Sequence, residues 1–180
     1  MLMGRLKNKL IAKLFTQFPS LVERWVKNTA PFPFKYITGQ GKVEGIPWTT
    51  LTKPIKDCNI AIVTTAGIHL KSQKPFDMKD PNGDPTYREI PRDTLKEQLI
   101  ITHDYYDHKD ADKDINIVFP IDRFKEMKEA GEIGDIAEIN FGFMGHIDGR
   151  HIYTLINETA PAVAEKLKTQ NIDAVLLTPG

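Results

Sequence analysis

Between Thr102 and Asp114 the chain gathers His103, Asp104, Asp107, His108, Asp110, Asp112 and Asp114. Imidazoles change charge near neutrality, so two of them interleaved with carboxylates can pass protons to and from a bound molecule. The segment follows the apolar run Leu99-Ile-Ile-Thr102, which would aim these groups from a strand's carboxyl end into a cleft. Three uses stand open at this level. His103, Asp104, Asp107 and His108 could do acid–base or substrate-orienting work. The same side chains could ligate zinc or a harder metal, although their spacing is neither the i, i+4 of a helical His pair nor a known zinc signature, and no metal ligand is assigned. The third use is a solvated acidic loop in which His103 or His108 closes a turn.

Two further histidines follow glycine-containing strand ends. His69 comes after Thr65-Ala-Gly67, and His146 after Phe143-Met-Gly145; glycine there lets the backbone approach a ligand closely. Arg88 sits among acids, where its planar fork could hold a substrate carboxylate or pair with Asp84 or Glu89. Cys58 is the lone cysteine, which excludes an intrachain disulfide, and it reads as an inert buried thiol at a strand start. There is no Gly-x-Ser-x-Gly elbow, no phosphate loop and no paired cysteine, so the residues as given supply no nucleophile.

The elements that must position these groups read as an α/β fold, a mostly parallel sheet with flanking helices and an N-terminal helical appendage. Ile60–Thr65 is expected as a first strand buried on both faces. Residues 71–94, rich in Pro, Asp and Gly, are expected as a long loop. Leu99–Thr102 and Ile115–Phe119 should be the second and third strands. A helix should open at Pro120-Ile-Asp122, capped by Asp122-Arg123 and closed by Gly131. Ile136–Met144 reads as one strand, about Tyr153 to Thr169 as a long amphipathic helix, and Ala174–Leu177 as the last strand. Alternating strands and helices argue for right-handed crossovers.

Ahead of this domain, at 58–180, lie a basic segment at 1–30 and a connector at 31–57. The first carries leucines at helical spacing and predicts two short amphipathic helices, which could pack on the domain, dock a partner or lie on an anionic membrane. The second holds four prolines, and its Gly39-x-Gly41-x-x-x-Gly45 is too poorly framed for a phosphate loop. Net charge is zero, but residues 1–30 carry +5 and the rest −5. A mildly acidic body argues against nucleic acid as partner. No run of about 18–20 apolar residues could span a membrane, and no secretory signal is evident, so a cytoplasmic location is expected.

Several separate motifs, in order, give a more specific reading: Val63-Thr-Thr-Ala-Gly-Ile-His-Leu-Lys71, Pro75-Phe-Asp77, Gly83-Asp84, Tyr87-Arg-Glu-Ile-Pro91, Thr102-His-Asp-Tyr-Tyr-Asp-His108, Asp114 to Arg123, and Asp173-Ala-Val-Leu-Leu-Thr-Pro179. Together they resemble the selenoprotein B family, the substrate-specific subunits of glycine, sarcosine, betaine and D-proline reductases, over roughly residues 47–180. The resemblance implies reductive C–N cleavage of a small amino acid under anaerobic conditions by a selenocysteine or cysteine. That residue follows the Leu-Leu-Thr-Pro segment in the family pattern and would fall at position 181. This chain would then be the front part of a longer selenoprotein, because selenocysteine is encoded by a stop codon; the gene downstream of codon 180 tests this.

The resemblance also implies a pyruvoyl group on a partner subunit, with no cofactor in this chain, and a thiol or selenol carrier protein as a second partner. It makes His69, His103, Asp104, Asp107 and His108 candidates for proton handling and Arg88 and His146 for substrate contact. Two rivals remain at this level: a non-catalytic scaffold docking through its basic N-terminal segment, and a metal-dependent hydrolase or lyase built on residues 103–114.

Overall fold

The computed structural model describes residues 49–180; the two basic helices, the glycine spacing and most of the connector expected above lie outside them. The domain covering Leu51–Gly180 is built on β1, Asn59–Thr64, which is buried from its second residue onward. Its branched Ile60, Ile62 and Val63 favour extended backbone and fill both faces.

Three strands run parallel to β1. β5 (Asp135–Ile136) pairs with its start and β6 (Ile139–Phe143) with its end. β7 (Ala174–Thr178) pairs along its whole length. Ile60 pairs with both Ile136 and Ala174, and Val63 with both Phe141 and Leu177, so β7 occupies the opposite edge of β1 from β5 and β6. β3 (Tyr87–Pro91) adds antiparallel to β6. A separate antiparallel pair joins β2 (Ile68–Leu70) to β4 (Leu99–Ile101).

One face of the main sheet buries Ile60, Ile62, Phe119, Ile121 and Ile136 under the helix α1, Ile121–Glu129. The other buries Val63, Phe141 and Phe143 against Val163 of α3, Ala160–Thr169. Each such side chain taken fully from water contributes about 1.5–3 kcal/mol. Before α3 come α2, His151–Thr154, and a π-helical turn, Leu155–Thr159. Pro161 has no N–H to give to the preceding turn, which accounts for the wider winding there. Among the described residues no helix is long and apolar enough to cross a membrane.

The α/β class and the mostly parallel sheet hold, and four local expectations change. Ile115–Phe119 is not a strand: the Asp114 carboxylate accepts from Asn116 N–H at 3.0 Å and starts a 3-10 turn, Ile115–Ile117, that still buries Val118 and Phe119. Residues 71–94 contain β3, whose Pro91 is tolerated at the end of an edge strand.

Ile136–Met144 breaks at Ala137-Glu138, and the wholly buried Asn140 fills the break by accepting from Ile62 N–H at 2.8 Å. The start of α1 is capped by Asn116, which accepts from Asp122 N–H at 3.0 Å and donates to the Asp122 carboxylate at 3.1 Å. Arg123 instead pairs with Glu126. Gly131 closes α1 at φ +72° as expected. Cys58 is fully buried, its thiol 3.3 Å from the Pro54 carbonyl.

Candidate functional site

Parallel strands deliver their ligand-binding loops at their carboxyl ends, and here β1, β6 and β7 end side by side. Thr65 N–H donates to Thr178 O at 2.9 Å, and Gly67 N–H to Phe143 O at 2.9 Å. Thr102 N–H donates to Gly67 O at 2.8 Å, which fastens the segment from Thr102 onward over the same ends. Gly67 lies at φ +74°, and a Cβ there would stand 2.5 Å from the Thr102 carbonyl oxygen, so only glycine fits. Gly180 is also closely packed: a Cβ on it would stand 2.6 Å from Ala66 Cα and 3.1 Å from Tyr106 Cε1. Thr178-Pro-Gly180 therefore emerges between β1's end and Tyr106.

Tyr106 Oη donates to Ala66 O at 3.0 Å, and burial raises its pKa above the usual phenol value. His103 lies against this ring, centroids 4.8 Å apart, and is 7% exposed. Its Nδ1 accepts from Tyr105 N–H at 3.0 Å, which leaves the ring proton on Nε2. Burial first, then the neighbouring His146 and His108, lowers its pKa to about 4. His103 is thus a neutral imidazole at pH 7, a hydrogen-bond donor rather than a stored proton. Tyr105 stacks on His146 at 3.8 Å, and His146 Nε2–H donates to Pro81 O at 2.9 Å. His108 is the more accessible imidazole, its Nδ1 held by Asp112 at 2.8 Å.

The sequence candidates therefore divide. His103, Asp104, Asp107, His108 and His146 belong to the strand-end region by chain position or ring contact. Asp107 pairs with Lys109 and Asp110 with Lys113, both in the open. Among the described residues, no three His, Cys, Asp or Glu side chains gather closely enough to hold a metal ion.

His69 faces elsewhere. It is 2% exposed, its Nδ1–H donates to Leu70 O and its Nε2 accepts from Thr102 Oγ1–H, each at 2.8 Å, which ties β2 to the end of β4. Burial lowers its pKa.

Arg88 lines a second feature, an open cleft of about 440 Å³ that also takes in Lys74, Asp77, Asp80, Asp84 and His151. Its Nε donates to Lys74 O at 2.8 Å, and its Nη1 to Thr86 Oγ1 at 2.8 Å and Tyr87 O at 2.9 Å. Nη2 is held more loosely, 3.3 Å from Pro75 O and 3.7 Å from Asp84. The guanidinium also lies 4.4 Å above the Phe76 ring. Asp84 feels burial pushing its pKa up, but Thr86, the Asp77 N–H and Arg88 outweigh that and hold it below the usual value.

Tyr105, Tyr106 and Asp80 gained no role from the sequence. Asp80 accepts from Asn82 N–H at 2.9 Å and from the side chains of Arg150 and His151, and so joins the 77–86 loop to the start of α2. A tyrosine pair directly after His-Asp was the available signal for the aromatic wall; Asp80 lies in a segment rich in breakers and gave none.

The family model for glycine/sarcosine/betaine reductase selenoprotein B matches residues 22–180, reaching ahead of the residue-47 start of the motif resemblance. The D-proline reductase subunit gamma of Acetoanaerobium sticklandii is 42% identical over 133 residues, which are 74% of this chain and 53% of the relative. The chain thus spans about half the length of the curated relative it matches. No solved structure matches it.

Proposed function

Because this chain belongs to the glycine/sarcosine/betaine reductase selenoprotein B family, we propose that it forms part of the substrate-processing subunit of an amino-acid reductase that splits a C–N bond reductively. D-proline is the substrate assigned first, on the strength of the relative's name; glycine, sarcosine and betaine are the alternatives. In balance, the C–N bond breaks, carbon and nitrogen each gain a hydrogen, and a selenolate or thiolate paired with a second thiol gives up two electrons and becomes a selenosulfide or disulfide. A dithiol carrier protein then reduces that bond by exchange. A pyruvoyl group on a partner subunit supplies a carbonyl for the substrate amine.

The observation that carries this reading is the meeting of Ala66, Tyr106, His103 and Gly180 at the carboxyl ends of the parallel strands. The family pattern puts the redox residue just after Gly180, so it would emerge beside a neutral imidazole and a half-buried phenol. In this reading His103 donates Nε2–H, His108 oriented by Asp112 delivers a proton to the leaving amine with Asp104 and Asp107 alongside, and His146 on Tyr105 borders the substrate. Arg88 Nη2, in its own cleft apart from the strand ends, meets the carboxylate of an arriving substrate, and His69 acts through Thr102 by holding the segment in place.

The test is to recover the subunit with its partners from native extract and follow substrate loss with a dithiol as reductant. Co-recovery of a pyruvoyl-bearing subunit and dithiol-dependent loss of D-proline are expected. Failure to consume any of the four substrates would overturn the proposal.

A further inference from the structure

β7 carries none of the features that usually protect a sheet edge. Among the described residues it pairs with β1 alone, and its residues Ala-Val-Leu-Leu-Thr include no charge and no proline. Edge strands are normally blunted by lysine, proline or a bulge, because an open row of N–H and C=O groups invites another strand. The opposite edge, β3, is protected in that way by Arg88, Glu89 and Pro91.

The side chains of β7 are equally unfinished on one face. Ala174 and Leu176 turn toward the core under α1. Val175 and Leu177 pair with Ala61 and Val63 and so lie on the α3 face of the sheet. They are 40% and 72% exposed. α3 buries Val163 against Val63, Phe141 and Phe143, and among the described residues no helix covers this outer part of the same face. In doubly wound sheets both faces are covered by helices, and strand sequences are apolar throughout for that reason.

We propose that the outer edge of β7 and its Val175–Leu177 face receive a further parallel strand with its crossover helix, supplied by the half of the subunit outside the region shared with this chain. The shared region covers only 53% of the relative, so a comparable length of chain is available there. The patch is uncharged, which suits burial within one folded body better than a reversible polar contact.

Amide hydrogen exchange across the equivalent strand tests this, comparing this 180-residue chain with the full-length D-proline reductase subunit gamma. In this chain the β7 amides turned away from β1 should exchange at least ~100-fold faster than those bonded to it, at every protein concentration; in the full-length subunit both sets should be slow. Leu177→Lys should leave the melting temperature of this chain unchanged, whereas the matching substitution should lower that of the full-length subunit. Two results would overturn the proposal: a fast outward set in the full-length subunit, or outward amides of this chain already slow, whether from its own residues or, where the protection rises with concentration, from a second copy.

Discussion

Thr64 on β1 and Thr178 on β7 donate to one acceptor, the Val118 carbonyl, at 2.9 and 2.7 Å. Two strand ends and the turn before α1 are thereby pinned at the point where Pro179-Gly180 emerges. Thr64 is wholly buried and also accepts from Ala66 N–H at 3.2 Å. Thr64→Val should therefore cost about 1–3 kcal/mol, since it orphans a buried donor as well as breaking a bond. Thr178→Val should cost only about 0.5–1.5 kcal/mol, because Val118 keeps the Thr64 hydroxyl. Urea melts of the two variants give the order directly.

Stability should fall as the pH is lowered from 6.5 toward 4. His103 has a folded pKa of about 4 against an ordinary 6.5, so in that window the unfolded chain takes up a proton that the folded one refuses. The loss from this group approaches about 3 kcal/mol at the acid end. His69, lowered by its own burial, adds in the same direction. Melting temperatures measured across the window should slope for the wild type, and His103→Gln should flatten the slope without abolishing it.

Arg88→Lys separates loop support from substrate contact. Lysine keeps the charge but cannot reproduce the fork that reaches Lys74, Thr86, Tyr87 and Pro75 together. We expect a rise in KM of about tenfold, one lost charge-assisted bond, with kcat little changed. Faster proteolysis within residues 74–86 at unaltered KM would assign the arginine to the loop alone.

The core strands were legible because Ile60–Thr64 and Ala174–Thr178 are short branched runs bounded by turn residues, and α1 was legible from its period and Gly131. The placement of His103 and His146 near the strand ends was legible for the same reason: they follow strand ends or glycines. Ile115–Phe119 misled because an apolar run buries equally well as a turn once Asp114 bonds Asn116 N–H. β3 was hidden by its polar composition, and no sequence pattern announces that Asn140 replaces a missing backbone acceptor or that Tyr105 stacks on His146. Such long-range contacts are set by packing, on which local spacing is silent.

The most direct measurement is steady-state reduction of D-proline by the proposed reductase assembly carrying His103→Leu, which removes the N–H donor, beside wild type, with folding checked by circular dichroism. A neutral N–H donor at the reacting centre predicts a kcat lower by about 10²-fold with KM within about twofold. A correctly folded variant that turns over at the wild-type rate would contradict the placement of the chemistry at these strand ends.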